Sequence, residues 1–324
     1  MDRGVAAKST DEAFRPVYVA TAPDGSLHVA DMYEHYIAHG QHYQNQIARD
    51  TGRIYRLAGK DSALEKDLDV ASRSTARLLE LLDHPNKWHR LAAVQVLGER
   101  RDPAAVPTLR EKIASGSGHA PLQALWALHQ AAGLDPATAV RALGHRDPAV
   151  RGWTARLLGD RHGVSRNPAL PGTGGTPAPL APALLEALVG QARVEPVAEV
   201  RAQLASTARR LAPAQALPIL TALLTHPEDV DDPFLPLLCW WVLESQLPAE
   251  GDRLMVWLQD RALWSEPLFV RQILPRLARR WAAEGRRQDL LRVAQLLRQA
   301  PGPGEAGQVL QGFEEAYRGR PMTG

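Results

Sequence analysis

Three histidines, His35, His39 and His42, form an H-x3-H-x2-H set. On a helix their side chains would share one side, and neutral imidazoles at that spacing suit zinc or copper. No carboxylate or thiol completes the set at a diagnostic distance, so the competing reading is a polar crossover lying against a sheet. Asp31 follows a strand-like run. It is either a metal ligand or catalytic acid, or, as is more usual, an acceptor that closes the turn after the strand. Trp240, Trp241, Trp257 and Trp264 crowd one region together with Phe234 and Leu235. Exposed, they would form a binding hot spot. Large apolar residues at helical spacing pack inward as a rule, so about one of the four is expected at the surface. Arg271, Arg276, Arg279, Arg280, Arg286, Arg287, Arg292 and Arg298 make a basic stretch near the C-terminus. It could hold nucleic acid on a concave helical face, or be a solvated face balanced by Glu284 and Asp289. The partner-contact set drawn from these residues is Trp240, Trp241, Trp257, Trp264, Arg276, Arg279 and Arg280. The lone Cys239 sits among apolar residues and reads as an inert core thiol. No nucleophile, base and orienting group fall into a catalytic pattern. No cofactor motif is present, so no catalytic residue and no cofactor is expected.

The elements that position these residues are mostly helices. Aromatic residues are only 6% of the 324 while Ala and Leu abound, a balance that suits close helix-on-helix packing. The net charge of +2 is too small to announce a nucleic-acid or membrane partner. One cysteine excludes a disulfide framework, a CxxC site and a CxxCH haem attachment. The first residues show no apolar signal region, and the most apolar stretch, 233–243, is too short to span a bilayer.

From residue 72 the apolar period is helical, and the helices come in pairs: 74–82 with 87–97, 103–113 with 121–131, and 136–143 with 148–158. Leu97, Leu128 and Leu158 recur at intervals of 31 and 30 residues. Asp102-Pro103 and Asp135-Pro136 lie 33 apart, and Asp147-Pro148 opens another helix. Asp caps orphan N–H groups, and Pro fits the first helical turn, where no N–H is needed. Arg90 and Arg151 correspond, 61 apart. A two-helix unit repeating at about 30 residues marks a solenoid. Residues 163–182 are too rich in Pro and Gly for a helix and read as a linker. Four longer pairs follow: 183–189 with 198–211, 214–224 with 233–247, 252–263 with 267–283, and 287–300 with 304–317. Residues 147–159, Asp-Pro-Ala-Val-Arg-Gly-Trp-Thr-Ala-Arg-Leu-Leu-Gly, resemble the HEAT pattern D-P-x-V-R-x-x-A-x-x-x-L-G, with Thr154 in the alanine slot.

The N-terminal segment has the period of strands. Residues 16–20 and 26–30 flank the turn Ala22-Pro23-Asp24-Gly25, and 52–57 is a third strand. Residues 34–48 between the last two read as a helix or a long ordered excursion. Three strands do not make a stable domain alone, so this sheet must lean on the helices or on another chain. Phe14-Arg15-Pro16-Val17, Pro23-Asp24-Gly25-Ser26-Leu27, Val29-Ala30-Asp31-Met32-Tyr33 and Gly52-Arg53-Ile54-Tyr55-Arg56-Leu57 occur in order. They resemble the last β-propeller blade of the PVC-type membrane-bound dehydrogenase family. That family's propeller is similar to glucose/sorbosone dehydrogenases and is followed by HEAT repeats and often by a cytochrome c module. The remaining blades and the cytochrome are missing here, so no quinone pocket, catalytic His or calcium site carries over.

The expected fold is therefore mainly α, a HEAT-like solenoid of antiparallel helix pairs preceded by a three-stranded β segment. The expected domains are 1–60, 61–162, a linker at 163–182, and 183–320. The expected function is a non-catalytic scaffold for a protein partner, which the resemblance implies to be a propeller or cytochrome protein. One alternative is the C-terminal part of a split sugar-dehydrogenase-like oxidoreductase. The other, a nucleic-acid-binding solenoid, rests only on the arginine stretch. The resemblance implies an exported or periplasmic setting, whereas the first residues show no signal.

Overall fold

The computed structural model describes residues 8–34, 50–61, 63–160 and 179–319. Three antiparallel strands, β1 (Pro16–Thr21), β2 (Leu27–Asp31) and β3 (Arg53–Leu57), pair in the order β1-β2-β3. The turn between β1 and β2 forms as its sequence requires: Gly25 takes a positive φ, and Asp24 accepts from the Ser26 amide and hydroxyl. The excursion expected over 34–48 lies, beyond Glu34, outside the described residues, and His35, His39 and His42 lie outside them too.

The helices then follow in pairs. In the first compact unit, residues 1–133, they are α1 (Thr75–Leu81), α2 (Lys87–Arg100), α3 (Val106–Ser115) and α4 (Ala120–Ala131). The second unit, 134–324, begins with α5 (Pro136–Leu143), α6 (Pro148–Asp160), α7 (Pro182–Val194), α8 (Ala198–Ala208), α9 (Pro213–Leu224) and α10 (Leu235–Glu244). It ends with α11 (Leu247–Trp257), α12 (Leu274–Glu284), α13 (Arg287–Gln299) and α14 (Pro303–Tyr317). The fold is mainly α, a helical-repeat solenoid behind a small sheet.

The aspartates before the prolines do what their type dictates. Asp102, Asp135 and Asp147 accept from the amides of Ala104, Thr138 and Ala149 at 2.9, 3.0 and 2.8 Å. The recurring leucines Leu97, Leu128 and Leu158 are all buried. Within the first unit α2 packs on α4; within the second α6 packs on α8, and α8 on α10. Stacking of second helices is how repeat arrays bury a continuous core.

Three boundaries differ from the sequence reading. The apolar run 233–247 is two helices, because α10 ends at Glu244 and α11 restarts at Leu247 with a proline in its first turn. Proline has no N–H to continue the earlier ladder. The next first helix therefore occupies 247–257 rather than 252–263, and Arg261–Ser265 is a separate 3₁₀ turn. Before α12 the backbone takes a π-helical turn over Phe269–Ile273. α12 and α14 approach so closely that a Cβ on Gly312 would overlap the Pro275 carbonyl and lie 2.8 Å from its carbon.

Candidate functional site

Among the described residues the sheet exposes apolar side chains on both faces, and the strand register explains why. Tyr18, Ala30 and Ile54 line up across one face, and Val19, Val29 and Tyr55 across the other. Tyr18 is 69% and Ile54 75% exposed on the first face. Val19 is 56% exposed on the second, where Val29 is buried and Phe14 packs edge-on against Tyr55. Leu57 is exposed as well. β1 and β3 are both edge strands. Apolar exposure on two faces and two edges at once is what solitary sheets avoid.

Hydrogen bonds to the helices reach the turn of this sheet. Asn86 caps α2 with its Oδ1, which accepts from the Trp88 amide at 2.9 Å. Its Nδ2 donates to the carbonyls of Ala22 and Pro23 at 2.8 and 2.9 Å. His89 Nε2 lies 3.2 Å from the same Pro23 carbonyl. Burial, and then the His84 ring 4.3 Å away, push the His89 imidazole below its ordinary pKa. On the sheet itself Asp24 is held well below the usual carboxylate range by Ser26 and by Arg56, whose guanidinium lies 2.6 Å away.

Asp31 behaves as a turn acceptor. Its Oδ1 receives the amides of Arg15 at 2.7 Å and Tyr33 at 3.1 Å. Among the described residues no three His, Cys, Asp or Glu side chains come together as a metal-holding group.

The tryptophan set divides. Trp240 and Trp264 are buried. The Trp264 indole donates to the Leu258 carbonyl at 2.9 Å and meets Phe269 edge-on. These two belong to the core, which corrects their place in the partner-contact set: a ring buried to this degree presents no surface to a partner. Trp257 is half-buried, donating to Thr221 Oγ1 at 2.9 Å, and Trp241 is half-buried beneath the Arg209 guanidinium. Phe234, beside them, is 70% exposed. Cys239 is fully buried, and burial pushes its thiol up to about 12, so it is no nucleophile at neutral pH.

Carboxylates answer much of the basic stretch. Arg280 pairs with Glu284 and lies near Glu244; Arg286 and Arg292 both engage the buried Asp289. Arg276 is half-buried, bonds to Gln272 and is shifted down by burial, while Arg279 is exposed. Paired guanidiniums leave less positive field for a polyanion than their number suggests.

A cleft that the sequence reading missed lies between α6 and α8. It has a volume of about 380 Å³, with Trp153, Arg156, Val200 and Gln203 among its lining residues. The Arg156 guanidinium stacks 4.8 Å from the Trp153 ring. Trp153 and Arg156 fall three apart in the helical motif of 147–159, a spacing that puts both on one face.

Helix pairs whose second helices pack on one another within each unit define a helical-repeat protein. Residues 75–140, spanning α1 to α4 and the start of α5, match the family described as HEAT repeats. Residues 6–61, the segment with the sheet, match the family described as Domain of unknown function (DUF7133). No curated protein matches the sequence. The chain is thus similar to HEAT repeats over α1 to α5 and to the second family over its N-terminal segment, and no helix among the described residues is long and apolar enough to cross a membrane.

Proposed function

We propose that the chain is a non-catalytic interaction scaffold whose N-terminal sheet seats a β-structured partner and whose HEAT repeats hold that sheet in place. The observation behind it is the sheet: Tyr18 and Ile54 exposed on one face, Val19 and Leu57 on the other. A blade packed between two neighbours needs apolar residues on both faces, whereas a sheet resting on helices needs them on one. The resemblance to a dehydrogenase-type propeller blade agrees with this and suggests a propeller protein as the partner. In this reading 1–60 docks, 61–162 and 183–320 are the helical arms, and 163–182 links them.

A second reading follows from the same faces: the sheet completes a propeller that works as a sugar-dehydrogenase-like oxidoreductase, of which this chain is the C-terminal part. Hydrogen exchange over residues 14–58 tests the docking. In the isolated monomer β1 and β3 should exchange rapidly, and a dehydrogenase-type propeller protein lacking one blade should protect them. Strong protection in the isolated monomer would overturn the docking role. Quinone-dependent turnover that arises only in the mixture would select the second reading over the first.

A further inference from the structure

The second helix of four repeats buries a polar side chain at its fourth position: Arg90 on α2, Gln123 on α4, Arg151 on α6 and Arg201 on α8. The arginines share one task. Nη1 of Arg90 donates to the carbonyls of His84 and Pro85, both at 2.7 Å. Nη1 of Arg151 donates to those of His145 and Arg146 at 2.8 and 3.1 Å, and Nη1 of Arg201 to that of Glu195 at 2.9 Å. Each clamps the turn before its own helix.

The opposite edge, Nε with Nη2, separates them. In Arg151 it grips both oxygens of Glu195, at 2.7 and 2.6 Å. In Arg201 it grips both oxygens of Asp229. In Arg90 the Nε is buried and has no hydrogen-bond partner. The acid that should answer it is missing from the sequence. Asp229 stands 28 residues after Arg201; 28 residues after Arg90 stands Gly118, in the turn Gly116-Ser117-Gly118-His119. Gly118 has φ +59 with open space where a Cβ would be. At the equivalent register on α4, Gln123 Oε1 is also buried without a partner.

A guanidinium cannot shed its charge. Leaving its Nε unpaired in the interior is costly, and a planar two-oxygen anion fits the Nε/Nη2 edge in two parallel bonds. We propose that the Nε/Nη2 edge of Arg90 is a carboxylate site, filled from outside this chain where the next two arginine-bearing repeats supply their own acid. The carboxylate comes either from a small free acid or from an acidic side chain of a bound protein.

The test uses the full chain and its Tm at constant ionic strength. Acetate replaces chloride in one arm, and a terminally blocked Gly-Asp-Gly peptide is added in the other. One probe or both should raise Tm saturably by about 2–4 °C. A response to acetate assigns a free acid, and a response to the peptide alone assigns a partner's side chain. Arg90→Lys keeps the charge but loses the fork and should lose the response. Gly118→Asp, a residue type tolerated at positive φ, supplies the missing acid internally. It should fold and be unresponsive even if Arg90→Lys does not fold. Absence of a saturable shift with either probe would overturn the proposal, as would an equal shift in Gly118→Asp.

Discussion

The Arg151 guanidinium and the Glu195 carboxylate face each other in a fork-to-fork pair, with Nη2 to Oε1 at 2.6 Å and Nε to Oε2 at 2.7 Å. Both are buried. Gln191 Nε2 and the Val197 amide add bonds to the same carboxylate at 2.6 and 3.0 Å. Desolvation alone would raise the Glu195 pKa; these donors outweigh it and hold the carboxyl below its ordinary value, while Arg151 is held above its own.

Removing one member should therefore cost more than removing both. Glu195→Ala is expected to destabilise the chain by about 3–5 kcal/mol, because it leaves a buried charge unanswered. Arg151→Met combined with Glu195→Leu should cost far less. Urea unfolding of the three variants measures the difference, and equal losses in single and double variants would contradict it.

Acid should act on this pair from one side only. Glu195 has a depressed folded-state pKa, so its contribution is whole above the unfolded value of about 4.3 and is lost as pH falls through the folded value. Tm should stay flat with respect to this group above that value and fall below it. In Glu195→Gln the acid-side fall should be smaller.

His89 gives a second pH dependence, located at the sheet. Its folded pKa lies below the ordinary value, so the neutral form is favoured when folded. Stability should begin to drop as pH falls below about 6.5 and continue until the folded pKa is passed. An NMR titration of the His89 ring should show a midpoint below that of a free imidazole; a midpoint above it would contradict the burial argument.

Asn86 uses both ends of one amide, so Asn86→Ala should have two effects. Loss of the α2 cap should cost about 1 kcal/mol. Hydrogen exchange at the turn between β1 and β2 should quicken, because the bonds to the Ala22 and Pro23 carbonyls go with it. Asn86→Asp keeps the cap acceptor and loses the donor, so it should free the turn while sparing most of the helix.

The α12–α14 contact is the place where one methyl group matters most. Gly312→Ala drives a Cβ into the Pro275 backbone and should cost about 1–3 kcal/mol or more. Gly307→Ala, on the same helix with open space around it, should be neutral or stabilising by about 0.5–1 kcal/mol. Thermal melts of the pair separate packing from helix propensity.

Much of this architecture was legible in the sequence because it is written in local chemistry. Asp102, Asp135 and Asp147 announced helix starts, Leu97, Leu128 and Leu158 gave the repeat, and the turn at 22–25 gave the first hairpin. The break at Ser245-Gln246 is marked only by Glu244-Ser245-Gln246 and Pro248, and three polar residues at the end of an apolar run fit one exposed helical turn as well as a break. The π turn at Phe269–Ile273 has no local signature at all. Among the candidate surfaces, the exposed sheet residues were readable as a problem in need of a cover. The burial of Trp240 and Trp264 was expected for most tryptophans of the set, but which two would go inside depends on helix rotation, fixed only by packing. The correspondence of Arg90 with Arg151 was visible, but Arg90's lack of an acid was not, because the answering residue comes from the following repeat.

Arg201 reaches its acid after 28 residues, and Arg151 reaches its own after 44. The link between α6 and α7 runs over 21 residues, 161–181, against four, 209–212, between α8 and α9, and so accounts for the longer reach. The ion pair thus works as a splice junction. So long as the arginine, the acid and the buried faces of α6 and α7 are kept, the link between the two helices can change in length without altering how one repeat meets the next. New sequence can be tried at that point at little cost to the inherited array.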